Sequence, residues 1–214
     1  MNSTLEKIHS EKIISIIRSQ SVDELEAVVH SLYEGGIRVV EVTMNTPGAL
    51  KGIEMIRKKF PDMKVGAGTV LDEETARMCI LSGASFLLSP ILHKGSLTLA
   101  NRYHVPLIPG VLTPTEIVQA YELGAQVVKI FPISSLGPQY VKDIKGPLPH
   151  VNLIPVGGVN IDNISAYLDV DCFALGLGSS LVSNDLIKEK RFAEITERAK
   201  KVTKIVTEIK ETKG

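Results

Sequence analysis

Cysteine is scarce in this chain: Cys79 and Cys172 are the only two among 214 residues. Two cysteines cannot build a disulfide framework, and neither stands in a CxxC or metal-type spacing. Both read as ordinary small buried residues. Net charge is also missing, because 24 Lys plus Arg balance 24 Asp plus Glu. A nucleic-acid face or a polybasic membrane surface needs a net positive field, so neither partner is expected. A small anionic ligand needs only two or three local donors and stays open. No stretch reaches eighteen consecutive apolar residues, so no membrane-spanning helix is expected. The opening MNSTLEKIHSEK is polar and helix-like, without an apolar signal region, and the expected location is the cytoplasm. The five histidines (His9, His30, His93, His104, His150) show no HExxH-type spacing, and no Asp/Glu pair makes a divalent site, so no metal is expected. There is no GxSxG or triad arrangement, and no GxGxxG opening a first helix.

What the chain does have is a rhythm. Short β-branched runs begin near Ile13, Val39, Lys64, Phe86, Leu107, Val127, Asn152 and Phe173. Each interval has room for one strand, one helix and two short loops. The intervening stretches carry helical periodicity: Leu25, Val28, Val29, Leu32 and Tyr33 make one apolar face, and Ile53, Ile56 and Phe60 another. Glycines at Gly35-Gly36, Gly83 and Gly124 fall where a left-handed residue would close a helix. Eight apolar strands, each followed by a helix, predict a parallel sheet covered on both faces. At this length a closed α/β architecture, the (β/α)8 TIM barrel, is favoured over an open doubly wound sheet. An extra N-terminal helix, roughly Leu5 to Ser10, precedes it, and a charged helix, roughly Ile187 to Lys210, ends it. No linker divides residues 1–214, which read as one domain.

In such a barrel the chemistry lies at the C-terminal ends of the strands. Lys129, late in the sixth strand (AQVVKIFP), is flanked by Val127, Val128, Ile130 and Phe131. Burying an ammonium costs several kcal/mol unless it is paired or neutral. Burial lowers a lysine pKa, and a neutral amine can attack a carbonyl to form a Schiff base. The structural alternatives are a lysine paired with a carboxylate or one snorkelling to solvent. Glu41, late in the second strand (RVVEVTMN), is equally costly to bury. It reads as a general acid/base, or as the ion partner of Lys129 or of Arg18 at the end of the first strand.

Two glycine loops follow the last strands: Pro155-Val156-Gly157-Gly158-Val159 and Gly176-Leu177-Gly178-Ser179-Ser180. Barrels frequently bind phosphate on those loops and a short helix N-terminus, although turn glycines alone would look the same. Gly66-Ala67-Gly68-Thr69 and Pro109-Gly110 add close-approach positions. Thr69 is a candidate donor to substrate, or else a helix cap. His93, just after the fourth strand, would face either the site or solvent.

Taken together, EVTMNTP, VGAGTVL, LLSP, LIPGVLTPTE, VKIFP and PVGGV resemble the class I 2-keto-3-deoxy-6-phosphogluconate (KDPG) aldolases. These include bifunctional enzymes that also cleave 4-hydroxy-2-oxoglutarate (KHG). The resemblance runs in register from about Ile13 to Val182. It implies a retro-aldol lyase with no metal and no organic cofactor. Lys129 would form the Schiff base with the C2 carbonyl and Glu41 would shuttle protons. The products would be pyruvate and glyceraldehyde 3-phosphate. By the same resemblance Thr69 and Pro90 would line the pyruvate pocket and Phe131 would pack beside it. Gly157, Gly158, Gly178 and Ser179 would hold the phosphate of a 2-keto-3-deoxy sugar acid phosphate, and the assembly would be a homotrimer.

Two departures bear on substrate choice. Many members carry an arginine in the pattern EVTLRT, where this chain has Asn45; Arg18 is the candidate replacement for that charge. The usual PTGG is PVGG here, so Val156 lacks a hydroxyl. The C4-epimeric galactonate substrate therefore stays open beside the gluconate one. So do a phosphosugar isomerase and a non-catalytic phosphosugar-binding barrel.

Overall fold

A computed structural model describes residues 2–213. Its strands are β1 (Ile13–Ile17), β2 (Val39–Thr43), β3 (Lys64–Gly68), β4 (Leu87–Leu88), β5 (Leu107–Ile108), β6 (Gly110–Val111), β7 (Val128–Ile130), β8 (Leu153–Pro155) and β9 (Leu175–Leu177). Its helices are α1 (Ser3–Glu11), α2 (Val22–Glu34), α3 (Ala49–Lys59), α4 (Glu73–Leu81), α5 (Lys94–Arg102), α6 (Pro114–Glu122), α7 (Gly137–Lys145), α8 (Ile164–Asp169), α9 (Asn184–Lys188) and α10 (Phe192–Lys213). Strand and helix alternate, as the apolar rhythm predicts.

All the strand pairings are parallel. One sheet runs β5-β4-β3-β2-β1-β9 and a second runs β6-β7-β8. The fifth apolar run is split because Pro109 has no N–H to give to a ladder. β5 pairs with β4 before the proline and β6 with β7 after it. A parallel bridge between Val156 and Gly176 connects the end of β8 to β9. The result is an α/β fold with a curled parallel sheet.

Curling sorts the side chains by alternation. Ile13 and Ile17 join the large cluster that packs against helices α2 to α10. Ile14 and Ile16 join a smaller cluster with Val39, Phe86, Ile108, Val127 and Ile154. That smaller cluster takes no residue from α2 to α10, so it fills the inner face of the curl. It does include Leu5 and Ile8 of α1. The N-terminal helix therefore packs its apolar side against the inner layer. Past Lys64, strand β3 presents no side-chain bulk there: Val65 and Ala67 face outward, leaving Gly66 and Gly68 inward.

The helix-closing glycines behave as expected. Gly36, Gly83 and Gly124 have φ of 89°, 90° and 94°, the left-handed values that end helices cheaply only in glycine. The expected C-terminal helix is instead two. Lys190 adopts φ 54°, and the N–H of Arg191 turns back to the carbonyl of Leu186, ending α9 before α10 begins. No helix among the described residues is long and apolar enough to cross a membrane.

Candidate active site

Lys129 occupies the middle of β7, between Gly110 of β6 and Ile154 of β8. Its neighbour two residues back, Val127, belongs to the inner cluster, so alternation turns Lys129 inward as well. It is only 6% exposed, and its Nζ stands 4.5 Å from the ring centroid of Phe131. Glu41 is on β2, in register with Ile16 of β1 and Gly66 of β3, and is 2% exposed. Its Oε2 is buried without a hydrogen-bond partner. Buried carboxylate oxygens are seldom left unpaired, and an orphan on the inner face of a strand is a candidate for chemistry.

Burial pushes the Glu41 carboxyl above the ordinary glutamate range, while the charges of Lys129 and Arg18 pull it partly back. Burial pushes the Lys129 ammonium below the ordinary lysine range; Glu41 opposes this and Arg18 adds to it. Both shifts favour neutral forms. The two groups thus act on each other, yet among the described residues no ion pair within 4.0 Å joins them. The salt-bridge reading of this pair is not what the geometry presents.

Gly157, Gly158, Gly178 and Ser179 line a single cavity of about 370 Å³, together with Arg18 and Phe131. Gly157 and Gly158 have φ of 83° and 100°. A β-carbon on Gly158 would also lie 2.7 Å from the Cα of Ser134, so this loop tolerates no side chain. Ser180 donates from Oγ to the carbonyl of Val159 at 2.9 Å, tying the two glycine loops together. Arg18 is exposed, makes no ion pair among the described residues, and approaches Gly178: its Nη1 is 3.6 Å from where a β-carbon would stand. The cavity wall is therefore rich in donors and carries a positive charge.

Thr69 and Asn45 line a different cleft, of about 260 Å³, with Met44, Leu71, Asp72 and Thr75. Arg18 and Asn45 are thus brought to separate clefts. Thr69 holds φ 61°, a costly conformation for a β-branched residue and one that clusters at functional positions. It is not the helix cap, because Asp72 accepts from the N–H of Thr75 at 2.6 Å and caps α4. Pro90 packs its backbone on Gly110, where a β-carbon would lie 2.4 Å from the Pro90 carbonyl oxygen. Gly110 is the register partner of Lys129, so Pro90 backs the strand beside the lysine.

His93 neither faces the cavity nor floats in solvent; its ring caps α5, with Nδ1 accepting from the N–H of Ser96 at 3.2 Å. Both cysteines are buried thiols outside any disulfide, and burial pushes the Cys79 thiol up to about 12. No group of three His, Cys, Asp or Glu among the described residues could hold a metal.

The arrangement matches known proteins along almost its whole length. The family model described as KDPG and KHG aldolase covers residues 5–198. The chain belongs to that family.

Among curated members of the KDPG and KHG aldolases, the 2-dehydro-3-deoxy-phosphogluconate aldolase of Haemophilus influenzae is 31% identical over 203 residues. That match covers 94% of this chain and 96% of the relative. The 2-dehydro-3-deoxy-6-phosphogalactonate aldolase of Escherichia coli is 36% identical over 171 residues, covering 79% and 83%. A crystal structure of the KDPG aldolase of Legionella pneumophila, with pyruvate captured as a covalent carbinolamine, superposes with a TM-score of 0.86. It has 31% identity and covers 94% of this chain and 97% of that one. Homologues with these names are aldolases, hence lyases, and this family member is one too.

Two features of the candidate site were not tied to it by the sequence, where Gly68 stood only as a close-approach glycine and Asn160 was not singled out. Gly68 gives the Glu41 carboxyl its room, since a β-carbon there would lie 2.2 Å from Oε1. Asn160 lines the 370 Å³ cavity. The only sequence signal for Asn160 was its place directly after PVGGV, where a loop asparagine is unremarkable.

Proposed function

We propose that this family member is a Schiff-base aldolase that cleaves 2-dehydro-3-deoxy-6-phosphogluconate to pyruvate and glyceraldehyde 3-phosphate. The observation that carries this reading is a lysine and a glutamate, both buried on the inner face, beside a donor-lined cavity. The fold supporting it is read as a closed (β/α)8 barrel. That reading is supported by Pro109, where the chain passes from one sheet to the other, and by the Val156–Gly176 bridge between β8 and β9; α1 would be the extra N-terminal helix.

The burial that lowers the Lys129 pKa favours the free amine that the attack needs. Its Nζ attacks C2 of the substrate, and the carbinolamine loses water with a proton from Glu41, leaving a protonated imine. Glu41, now a carboxylate, takes the proton from the C4 hydroxyl. The C3–C4 bonding electrons move to form the enamine, the iminium serving as electron sink, and the aldehyde leaves. The enamine C3 then recovers the proton from Glu41, and water releases pyruvate from Lys129. A carboxyl pushed upward by burial suits this alternating role, because burial makes its proton-holding form easier to keep.

Thr69 and Pro90 are read as the pyruvate side, with Asn45 at its rim and Phe131 against the amine. Gly157, Gly158, Gly178 and Ser179 take the phosphate, and Arg18 adds positive charge to that same cavity. No step requires a metal or an organic cofactor. Cleavage of 4-hydroxy-2-oxoglutarate to pyruvate and glyoxylate would use the same lysine and glutamate.

A second reading, the C4-epimeric phosphogalactonate substrate, is favoured by two observations. The Escherichia coli enzyme named for it is 36% identical, and Val156 lines the cavity where many members have threonine. Steady-state cleavage of both epimers, followed by pyruvate release, decides between them. A tenfold or greater kcat/KM advantage for the gluconate epimer is expected; the reverse assigns the second reading. The homotrimer is supported by apolar surface on and beside α4, where Leu71, Met78 and Leu81 are all exposed.

A further inference from the structure

We infer that Asn160 is a specificity-determining residue of this site, donating its side-chain amide to the anionic end of the substrate. The inference rests on the proposed cleavage of a phosphorylated sugar acid. Asn160 lines the cavity shared by Arg18, Gly158, Gly178 and Ser179. Its side chain is not free to turn. Oδ1 accepts from the N–H of Asp162 at 2.9 Å and from that of Asn163 at 3.2 Å. In return, the N–H of Asn160 donates to Oδ1 of Asn163 at 2.8 Å, and Nδ2 of Asn163 donates to the carbonyl of Gly158 at 2.9 Å. The two asparagines lock each other and anchor the glycine loop.

This lock has a chemical consequence. With Oδ1 doubly committed, the two N–H donors of Nδ2 are the end of Asn160 without a partner among the described residues. Around the same cavity stand the guanidinium of Arg18, the hydroxyl of Ser179 and the backbone of the glycine loops, all able to donate. A wall of donors fits a group offering several acceptor oxygens at once, as a phosphate monoester does and a sugar hydroxyl does not. Asn160 would thereby help the site select a phosphorylated aldehyde half over a neutral one. It touches no reacting atom and takes no part in Schiff-base chemistry.

Two substitutions separate donation from scaffolding. Asn160→Asp keeps the acceptor oxygen for Asp162 and Asn163 but replaces the donor with a carboxylate oxygen. Asn160→Ser keeps a smaller acceptor and removes the donor. In the condensation direction, the KM for glyceraldehyde 3-phosphate is expected to rise about tenfold in the serine variant and further in the aspartate variant. The KM for pyruvate should stay within about twofold, and the thermal midpoint of the aspartate variant within a few degrees. Calorimetric titration with glycerol 3-phosphate, which needs no Schiff base, should show the same loss of affinity. If the aldolase reading failed, the wild type would not trap pyruvate, yet the glycerol 3-phosphate result would still test Asn160. Unchanged phosphate-ester binding in both variants would overturn the inference, as would equal rises in the KM of pyruvate and aldehyde.

Discussion

Gly68 and Glu41 share one volume: a β-carbon on the glycine would lie 2.2 Å from Oε1 of the glutamate and 2.7 Å from its carboxyl carbon. The missing side chain on β3 is what lets β2 bury an acid on its inner face. Gly68→Ala should therefore displace Glu41 while leaving the fold intact, since φ at Gly68 is not in the left-handed region. A shift of about 1 Å in a reacting group costs roughly a hundredfold in rate, and kcat is expected to fall by about that factor. Gly66→Ala makes the contrast, because its β-carbon would meet the buried Phe86 ring at 2.4 Å. That variant should lose stability, about 1–3 kcal/mol, before it loses chemistry. Melting curves and kcat measured on both variants check the distinction.

Burying Glu41 and Lys129 costs stability, a cost that the proposed chemistry would require. The raised Glu41 pKa means its burial penalty is absent below the ordinary value of 4.5 and grows as pH rises to the folded value. The lowered Lys129 pKa means the penalty of a buried ammonium is full below the folded value and gone above 10.5. Stability therefore falls with rising pH through Glu41 and climbs with rising pH through Lys129. The double variant Glu41→Gln with Lys129→Met removes both slopes. It should be inactive yet more stable near neutral pH, by about 1–4 kcal/mol, as when buried ion pairs give way to neutral groups. Denaturant titrations at several pH values read this directly.

Arg18 acts electrostatically on both Glu41 and Lys129 and lines the 370 Å³ cavity. Its positive charge lowers the pKa of both, so Arg18→Ala should raise both. The acid limb of imine formation, set by the fraction of neutral Lys129, then moves to higher pH. The KM for the phosphorylated substrate should rise about tenfold or more, as expected for losing a charged hydrogen bond. A pH profile of kcat/KM for wild type and variant measures both effects. A rise in KM with an unmoved limb would confine Arg18 to binding.

Much of this was legible in the residues. The apolar rhythm revealed alternating strands and helices because strands covered on both faces are continuous hydrophobic runs. Lys129 and Glu41 stood out because a charge inside such a run is expensive. The glycine loops after β8 and β9 were legible by position, and they do line one cavity. What escaped depended on tertiary neighbours. Pro109 divides a strand only because the chain exchanges partners there, and α9 ends only because Lys190 turns left-handed. Gly68 was legible as a close-approach glycine, but that Glu41 is what approaches it depends on the pairing of β2 with β3. Thr69 looked like a cap until Asp72 took that role. Asn160 acquires its orientation from hydrogen bonds to Asp162 and Asn163.

The central claim is that Lys129 forms a Schiff base with pyruvate. Mass spectrometry after incubation with pyruvate and sodium borohydride tests it most directly, with Lys129→Ala as control. The expected result is one stable adduct on the wild type, mapped to the peptide containing Lys129, and none on the variant. No adduct at saturating pyruvate, or an equal adduct on both proteins, would contradict the account.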